Sequence, residues 1–365
     1  MRILFFTQNI APFRIDWINE ISKYCDIEVV HLNEYDPTFN KKMLEEIQVN
    51  VNVKVTDISI TFGKIKVYDL HKVDLDKYDI LLLDGYGFIG QLFLLLELRR
   101  RKKQCIMSID GGFIKDRENI IAKKIKNIIF SMPNAFLSTS KDTDDFIHHY
   151  SKSASIYRHY FSSIHSNDII TVQERMNLHN KYKLDFGFEN KVVIVLVGRF
   201  IYIKGFDIII NSLDYFSDNY LFIFIGGQLP KEYIENITDE NKHKVKFFDV
   251  MNREQLKKYY IASDIFCMPT RGDVWGLVVG EAMACGLPII ASRRCNAAAA
   301  MIKKENGIII DTENPTDYAN AIMRLANDPD KIVSMSSENL KKIYKYTIDV
   351  STLNDIESFN NYITR

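Results

Sequence analysis

Eleven short runs of Ile, Val, Leu and Phe, each continuous instead of alternating with polar residues, constrain this chain more than any other feature. The first series is RILFF (2–6), IEVVHL (27–32), YDILLLD (78–84), QCIMSID (104–110) and AFLSTS (135–140). The second is KVVIVLVG (191–198), YLFIFIGG (220–227), KVKFF (244–248), DIFCMPT (264–270), LPIIAS (287–292) and GIIID (307–311). A strand with one face in water reads as alternation, whereas an unbroken run fits a strand covered on both faces, as in parallel sheets. Amphipathic segments such as NREQLKKYYIA (252–262) and PTDYANAIMRLAND (315–328) lie between runs and read as helices.

Two successive strand–helix series predict an α/β chain with two doubly wound, Rossmann-like domains and a cleft between them. The polar, loosely patterned stretch around 162–190 reads as the connection, giving domains of 1–165 and 166–345. YTIDVSTLNDIESFNNYI (346–363) has a helix's apolar spacing. Ligands of such sheets bind beyond the carboxyl ends of the strands, so the residues that follow each run carry the functional information.

Composition removes several classes. With 47% hydrophobic and 26% charged residues the chain can bury real cores and is not a disordered polymer. A formal net charge of +0 gives no support for a nucleic-acid binder. The five cysteines are scattered without a C-x-x-C pair, which indicates neither a disulfide framework nor a zinc site and fits reduced thiols in a cytoplasmic protein. The opening MRILFFTQNIAPF is too short in apolar residues for a signal-peptide core. FIGQLFLLLELRRRKKQ (88–104), interrupted by Gln91 and Glu97, falls short of the roughly 20 apolar residues a membrane span needs.

At the end of VIVLVG stand Gly198, Arg199 and, five residues on, Lys204. Two cations across a strand-to-helix turn suit a diphosphate, Arg by clasping two oxygens and Lys as a point charge; a solvated basic turn is the plain alternative. After DIFCMP comes TRGDVWGLVVGEAMACGLP (270–288), with a helix expected to start near Gly276. The amides of Gly276, Leu277 and Val278 would then form an anion site at a helix N-terminus. Asp273 precedes that turn, and Glu281 lies inside the helix; carboxylates are acceptors well suited to sugar hydroxyls. Their plain alternatives are a loop acid and an acid that complements the helix dipole.

GRF-IYIKG (198–205) together with DVWGLVVGEAMACGLPIIAS (273–292) resembles the retaining nucleotide-sugar glycosyltransferases of family 4, which have the GT-B fold. Their signature is two acids separated by seven residues, followed by E-A-M-A-x-G-x-P. Glu281 matches the second acid; Asp273 stands where Glu is usual, and Trp275 where Phe is usual. The resemblance implies that Arg199 and Lys204 neutralise the donor diphosphate, Glu281 holds the nucleotide ribose and Asp273 the transferred sugar. It implies further that the amides at 277–278 meet phosphate and that Val250, beside Gly226-Gly227, lies at the nucleobase. It implies no metal or other cofactor, a helix at 346–365 that packs back onto the first domain, and a hexose passed to a saccharide or lipid-linked saccharide acceptor. Cell-surface polysaccharide assembly is the implied setting, supported by the segment YRHYFSSIHSNDI (157–169). The D-x-D within KDTDDF (141–146) reads as the start of a helix and not as a metal site.

On the acceptor side Asn9, Arg14 and Asp110 follow strands; Asp110 occupies a position where the family commonly has a functional polar residue, though an Asp before two glycines is also an ordinary turn. A rival motif is present. Gly85-Tyr-Gly87-Phe-Ile-Gly90 is a literal G-x-G-x-x-G with Asp110 beyond it, which leaves an NAD(P)-dependent oxidoreductase as the alternative. A non-catalytic sugar-nucleotide sensor is the third reading. Basic residues at 99–103 and at Lys123, Lys124 and Lys126 raise the expectation of peripheral contact with an anionic membrane, against the plain reading of solvated helix faces.

Overall fold

The first strand, β1 (Arg2–Thr7), has five consecutive buried residues and is the origin of a seven-stranded parallel sheet. The structure is a computed structural model that describes residues 1–7, 12–31, 54–56, 59–62, 65–114 and 117–364. On one side of β1 lie β2 (Asp26–His31) and then β3 (Lys54–Thr56); a hairpin, β4 (Ser59–Phe62) with β5 (Ile65–Tyr68), forms a separate antiparallel pair. On the other side follow β6 (Ile80–Leu83), β7 (Ile106–Ile109), β8 (Ala135–Ser138) and β9 (Ser155–Arg158). Phe5 pairs with Val29 of β2 and with Leu82 of β6, so the direction of winding reverses at β1.

Both faces of this sheet are covered, which is why β1 reads as a continuous run. Ile3 and Phe5 pack with Trp17, Val29, Leu82 and Phe359, while Leu4 and Phe6 pack with Leu83, Leu94, Met107 and Phe136. Phe359 belongs to the helix Ile348–Ile363, which clusters with residues 1–163 and packs against the helix Pro12–Ile21. Its fully buried Asp355 accepts a hydrogen bond from Trp17 Nε1 (2.8 Å) and pairs with His159 Nδ1 (2.9 Å). A buried carboxylate needs such partners, so this triad fixes the helix's register as well as its position.

Residues 164–347 form a second unit. Its six-stranded parallel sheet comprises β10 (Val192–Val197), β11 (Tyr220–Ile225), β12 (Val245–Phe248), β13 (Ile265–Met268), β14 (Ile289–Ser292) and β15 (Gly307–Ile310). The spatial order β12-β11-β10-β13-β14-β15 is the mononucleotide-binding order of a doubly wound sheet, with its switch point between β10 and β13.

All eleven expected strands are present. β3, β4, β5 and β9 add to them; each is short, and β9 (SIYR) is a half-buried edge strand without an apolar run. The stretch read as a plain connection contains the helix Val172–Asp185. Thr171 and Glu174 form a reciprocal capping box at its start: the Glu174 amide donates to Thr171 Oγ1 (3.1 Å) and the Thr171 amide to Glu174 Oε2 (2.7 Å). Apolar periodicity fails there because the buried contact is made by Arg175, which donates to the carbonyls of Ile261 (2.5 Å) and Ser263 (2.6 Å). All five cysteines are free, four of them buried. No helix among the described residues is long and apolar enough to cross a membrane.

Candidate nucleotide-sugar site

Backbone packing brings the two switch-point loops of the second unit together. Gly198 (φ +153°) follows β10, and a Cβ on Gly226, just after β11, would lie 1.7 Å from the Gly198 carbonyl oxygen. After the 3-10 turn Tyr202–Lys204, Gly205 adopts φ +70° and passes so close to β13 that a Cβ would sit 2.0 Å from the Pro269 carbonyl oxygen. Only glycine fits these positions. The turn is then stitched to the loop after β13: Thr270 Oγ1 and the Arg271 amide both donate to the Ile203 carbonyl (2.8 Å each).

Arg271 completes the splint. Its guanidinium clasps Asp207 with two bonds (2.8 and 2.7 Å), reaches Glu313 (2.8 Å) and lies 3.9 Å from the Tyr202 ring centroid. The outcome is a direct ion pair between Lys204 Nζ and Asp273 Oδ2, two residues 69 apart in sequence. Both side chains are largely shielded, while Arg199 is exposed and its side chain has no hydrogen bond or ion pair among the described residues.

Asp273 is held by its backbone too: its amide donates to the Arg294 carbonyl (2.9 Å), and Asn296 Nδ2 donates to Val274 O (2.9 Å). Gly276 (φ +97°) turns the chain into the helix Leu277–Ala284, and a Cβ there would meet Cys295 Sγ at 2.6 Å. No side chain caps this helix, so the amides at Leu277 and Val278 start it without a side-chain acceptor. Glu281 is half-buried within it and accepts from Tyr260 Oη at 3.2 Å. Burial raises the Tyr260 hydroxyl well above its ordinary range, with the Glu281 charge adding to it, so this phenol stays a donor. Val250 lies beside Gly227, where a Cβ would be 3.7 Å from Val250 Cγ2.

Gly198, Arg199, Lys204, Gly226, Val250, Asp273, Gly276, Leu277, Val278 and Glu281 therefore all stand at or just beyond the carboxyl ends of β10 to β13. Cations, an uncapped helix start and two carboxylates there can serve a phosphate and hydroxyls together. Arg271 and Tyr260 escaped the sequence reading; only the topology shows what each holds.

The first unit has its own polar cluster at its own switch point. Thr7 Oγ1 and Gln91 Nε2 both donate to the buried Asp84 carboxylate. Arg14 Nη2 donates to Asp110 Oδ2 (3.0 Å), with Nε 3.9 Å from Asp84 Oδ2. Among the described residues Asp110 Oδ1 is buried without a hydrogen-bond partner, and burial raises this carboxyl above its ordinary value against the pull of Arg14 and His159. A small cavity lined by Arg14, Ser108, His159 and Phe161 adjoins it. Asn9 lies outside the described residues. Sequence reasoning missed Thr7 and Asp84, whose only local signal is a polar residue closing an apolar strand.

The G-x-G-x-x-G loop does follow β6 and does open a helix, Ile89–Arg100. There, however, Gln91 Oε1 takes the Phe88 amide (3.3 Å), and Asp84 ends the same strand. A pyrophosphate would meet a carboxylate and an occupied amide. In KDTDDF, Ser140 caps the helix Lys141–Tyr150 through the Thr143 amide (3.2 Å) and Asp144 pairs with Arg158 (2.5 Å).

Residues 180–345 match the family described as glycosyl transferases group 1. An uncharacterized glycosyltransferase of Methanocaldococcus jannaschii is 30% identical over 145 residues, 38% of this chain and 37% of that protein. The D-inositol 3-phosphate glycosyltransferase of Xylanimonas cellulosilytica is 24% identical over 142 residues, 37% of this chain and 34% of that protein. The chain thus matches only about a third of the length of these relatives. Among solved structures, Anabaena HepE in complex with UDP superposes with a TM-score of 0.80 at 18% identity, covering 99% of this chain and 100% of that one. The same protein in complex with UDP-glucose gives a TM-score of 0.74. Identity this low establishes fold alone. The chain has the GT-B fold, and its second unit carries the match to the glycosyl transferases of group 1.

Proposed function

We propose that this chain is a retaining glycosyltransferase of family 4 that moves a hexose from a nucleotide-diphosphate sugar to a saccharide or lipid-linked saccharide. The setting we infer is cell-surface polysaccharide biosynthesis at the cytoplasmic face of the cell membrane. One observation carries the reading: Lys204 and Asp273 meet beside the uncapped start of the helix Leu277–Ala284, with Arg199 exposed at the adjoining strand end. Anabaena HepE, crystallised with UDP and with UDP-glucose on the same fold, makes a UDP-hexose the first donor to try.

In this reading the donor diphosphate competes with Asp273 for Lys204. Once Lys204 and Arg199 face the phosphates, Asp273 is released to accept hydroxyls of the transferred sugar. Breaking the sugar–phosphate bond builds negative charge on the leaving diphosphate, and preset cations and helix amides stabilise that charge without reorganising. Glu281, oriented by Tyr260, holds the ribose hydroxyls. Asp110, oriented by Arg14, meets the acceptor hydroxyl, and Asn9 is assigned to the acceptor as well. The two cations supply what a metal otherwise would, so activity should persist in chelator.

The test is a thermal-shift panel of UDP-, GDP- and ADP-sugars with NAD(H) as control, followed by product analysis with the best binder. A ligand specific for the native state raises apparent stability. Transfer or donor hydrolysis by the wild type and its loss in Glu281→Ala support the reading. A shift without either reaction identifies a sensor, and a shift with NAD(H) alone sinks the proposal in favour of an oxidoreductase.

A further inference from the structure

The helix Ile120–Phe130 buries Ile129 and Phe130 yet turns four isoleucines outward: Ile120, Ile121, Ile125 and Ile128 are 74%, 69%, 51% and 56% exposed. At 3.6 residues per turn these four and Lys124 fall within roughly 140° of the helix circumference. The preceding helix, Ile89–Arg100, buries Leu94, Leu95 and Leu98 in the same core as Ile129 and Phe130. Its opposite stripe, Ile89, Phe93 and Leu96, is also exposed. These two helices are successive crossovers, from β6 to β7 and from β7 to β8, so right-handedness puts both on one face of the sheet. Phe113 and Ile114, in the connection between them, are exposed as well.

This clustering is not scatter. Ten of the 25 large apolar side chains exposed among the described residues lie between positions 88 and 128, where even spacing would put roughly three. The charges beside them have one sign. Glu118, the one acid among the described residues 111–131, is largely shielded and paired with Lys126 (2.7 Å). Among the described residues Arg117, Lys123 and Lys124 have no acidic partner, in a chain whose net charge is +0. At the end of the preceding helix, Glu97 and Asp76 pair with Arg100, Arg101 and Lys103. The cations that count are therefore those on the isoleucine helix.

We propose that this face of the first unit docks on an anionic phospholipid surface, with the isoleucines of Ile120–Phe130 in the headgroup–acyl boundary and Lys123 and Lys124 at the phosphates. An apolar stripe with one lysine within it and another beside it is the pattern of an interfacial helix, held by buried apolar area plus attraction to anionic lipid. Protein interfaces, in contrast, are depleted in lysine. The inference stands on these exposed residues and not on the transfer reaction.

Flotation of the purified full chain with phosphatidylglycerol-containing vesicles, and with phosphatidylcholine vesicles as control, tests it without any sugar nucleotide. A failed flotation therefore leaves the transfer reading untouched. The wild type should float with the anionic vesicles and weakly with the neutral ones. Ile121→Ser/Ile125→Ser/Ile128→Ser should reduce binding more than tenfold in both cases, with circular dichroism and melting unchanged. Lys123→Glu/Lys124→Glu should reduce binding to anionic vesicles severalfold and flatten its salt dependence. Wild-type protein that stays unfloated, or a triple-serine variant that floats like wild type, overturns the proposal. So does a triple-serine variant that turns a wild-type dimer into a monomer by light scattering, since the ridge would then cover a second copy.

Discussion

The two units repeat one topology but furnish their switch points in opposite ways. In the first, Arg14 lies between two carboxylates, Asp84 and Asp110, with side chains of Arg14 and Asp84 about nine-tenths buried. In the second, Lys204 has one carboxylate, Arg199 is exposed, and a helix begins uncapped next to them. The first arrangement sets one cation against two carboxylates and is acidic overall, so it repels a diphosphate; the second keeps positive potential available to one. The same fold thus produces an acidic strand edge and an anion-ready one, and the difference rests on a few side chains.

The sharpest break in this comparison is Arg14→Met. Removing the cation that Asp84 and Asp110 share should cost about 3 kcal/mol, read as a lower urea midpoint for the first unit. Lys204→Met should do the reverse: a smaller cost in stability, about 1–2 kcal/mol, because one carboxylate and not two loses its cation, but transfer slowed about a hundredfold or more. If Lys204→Met were as destabilising as Arg14→Met and left turnover intact, the proposed division of labour would be wrong.

A smaller effect separates the acids. The folded-state pKa of Asp110 is raised, so the native state holds its proton more tightly than the unfolded chain does. Its contribution is fully present below the unfolded value, near 3.8, and is lost as pH rises through the folded value. Asp110→Asn imitates the protonated form, so wild type should lose stability relative to this variant as pH rises above the unfolded value; urea titrations at low and neutral pH measure the difference. The smallest expected effect is Asp273→Glu. It restores the longer acid, keeps the Lys204 pair, and should change turnover less than about tenfold while altering the preference among donor sugars in competition assays.

The second unit's sheet is legible from sequence because both its faces are covered, so β10, β11, β13 and β14 appear as unbroken apolar runs. β9 and the β4–β5 hairpin are not, since strands of four residues are too short to carry a periodic signal. The helix Val172–Asp185 is hidden for a different reason, its inward contact being an arginine. At the site, the glycines, cations and acids could be picked out by residue type and family likeness. The Lys204–Asp273 pair could not, because nothing local links residues 69 apart; strand order does. Nor does any sequence pattern reveal that Tyr260 reaches Glu281, or that Asp355 holds Trp17 and His159 together.

The fit of Gly226 against the Gly198 carbonyl has a consequence for how such a site can change. Where two peptide planes touch, no side chain can be grown, so this floor is closed to mutation whatever donor is selected for. In the proposed donor site, new specificity would then come from Val250, Asp273 and the side chains of Tyr202 and Ile203. A directed-evolution library aimed at a new nucleotide sugar should therefore leave the glycines fixed and spend its diversity on those positions.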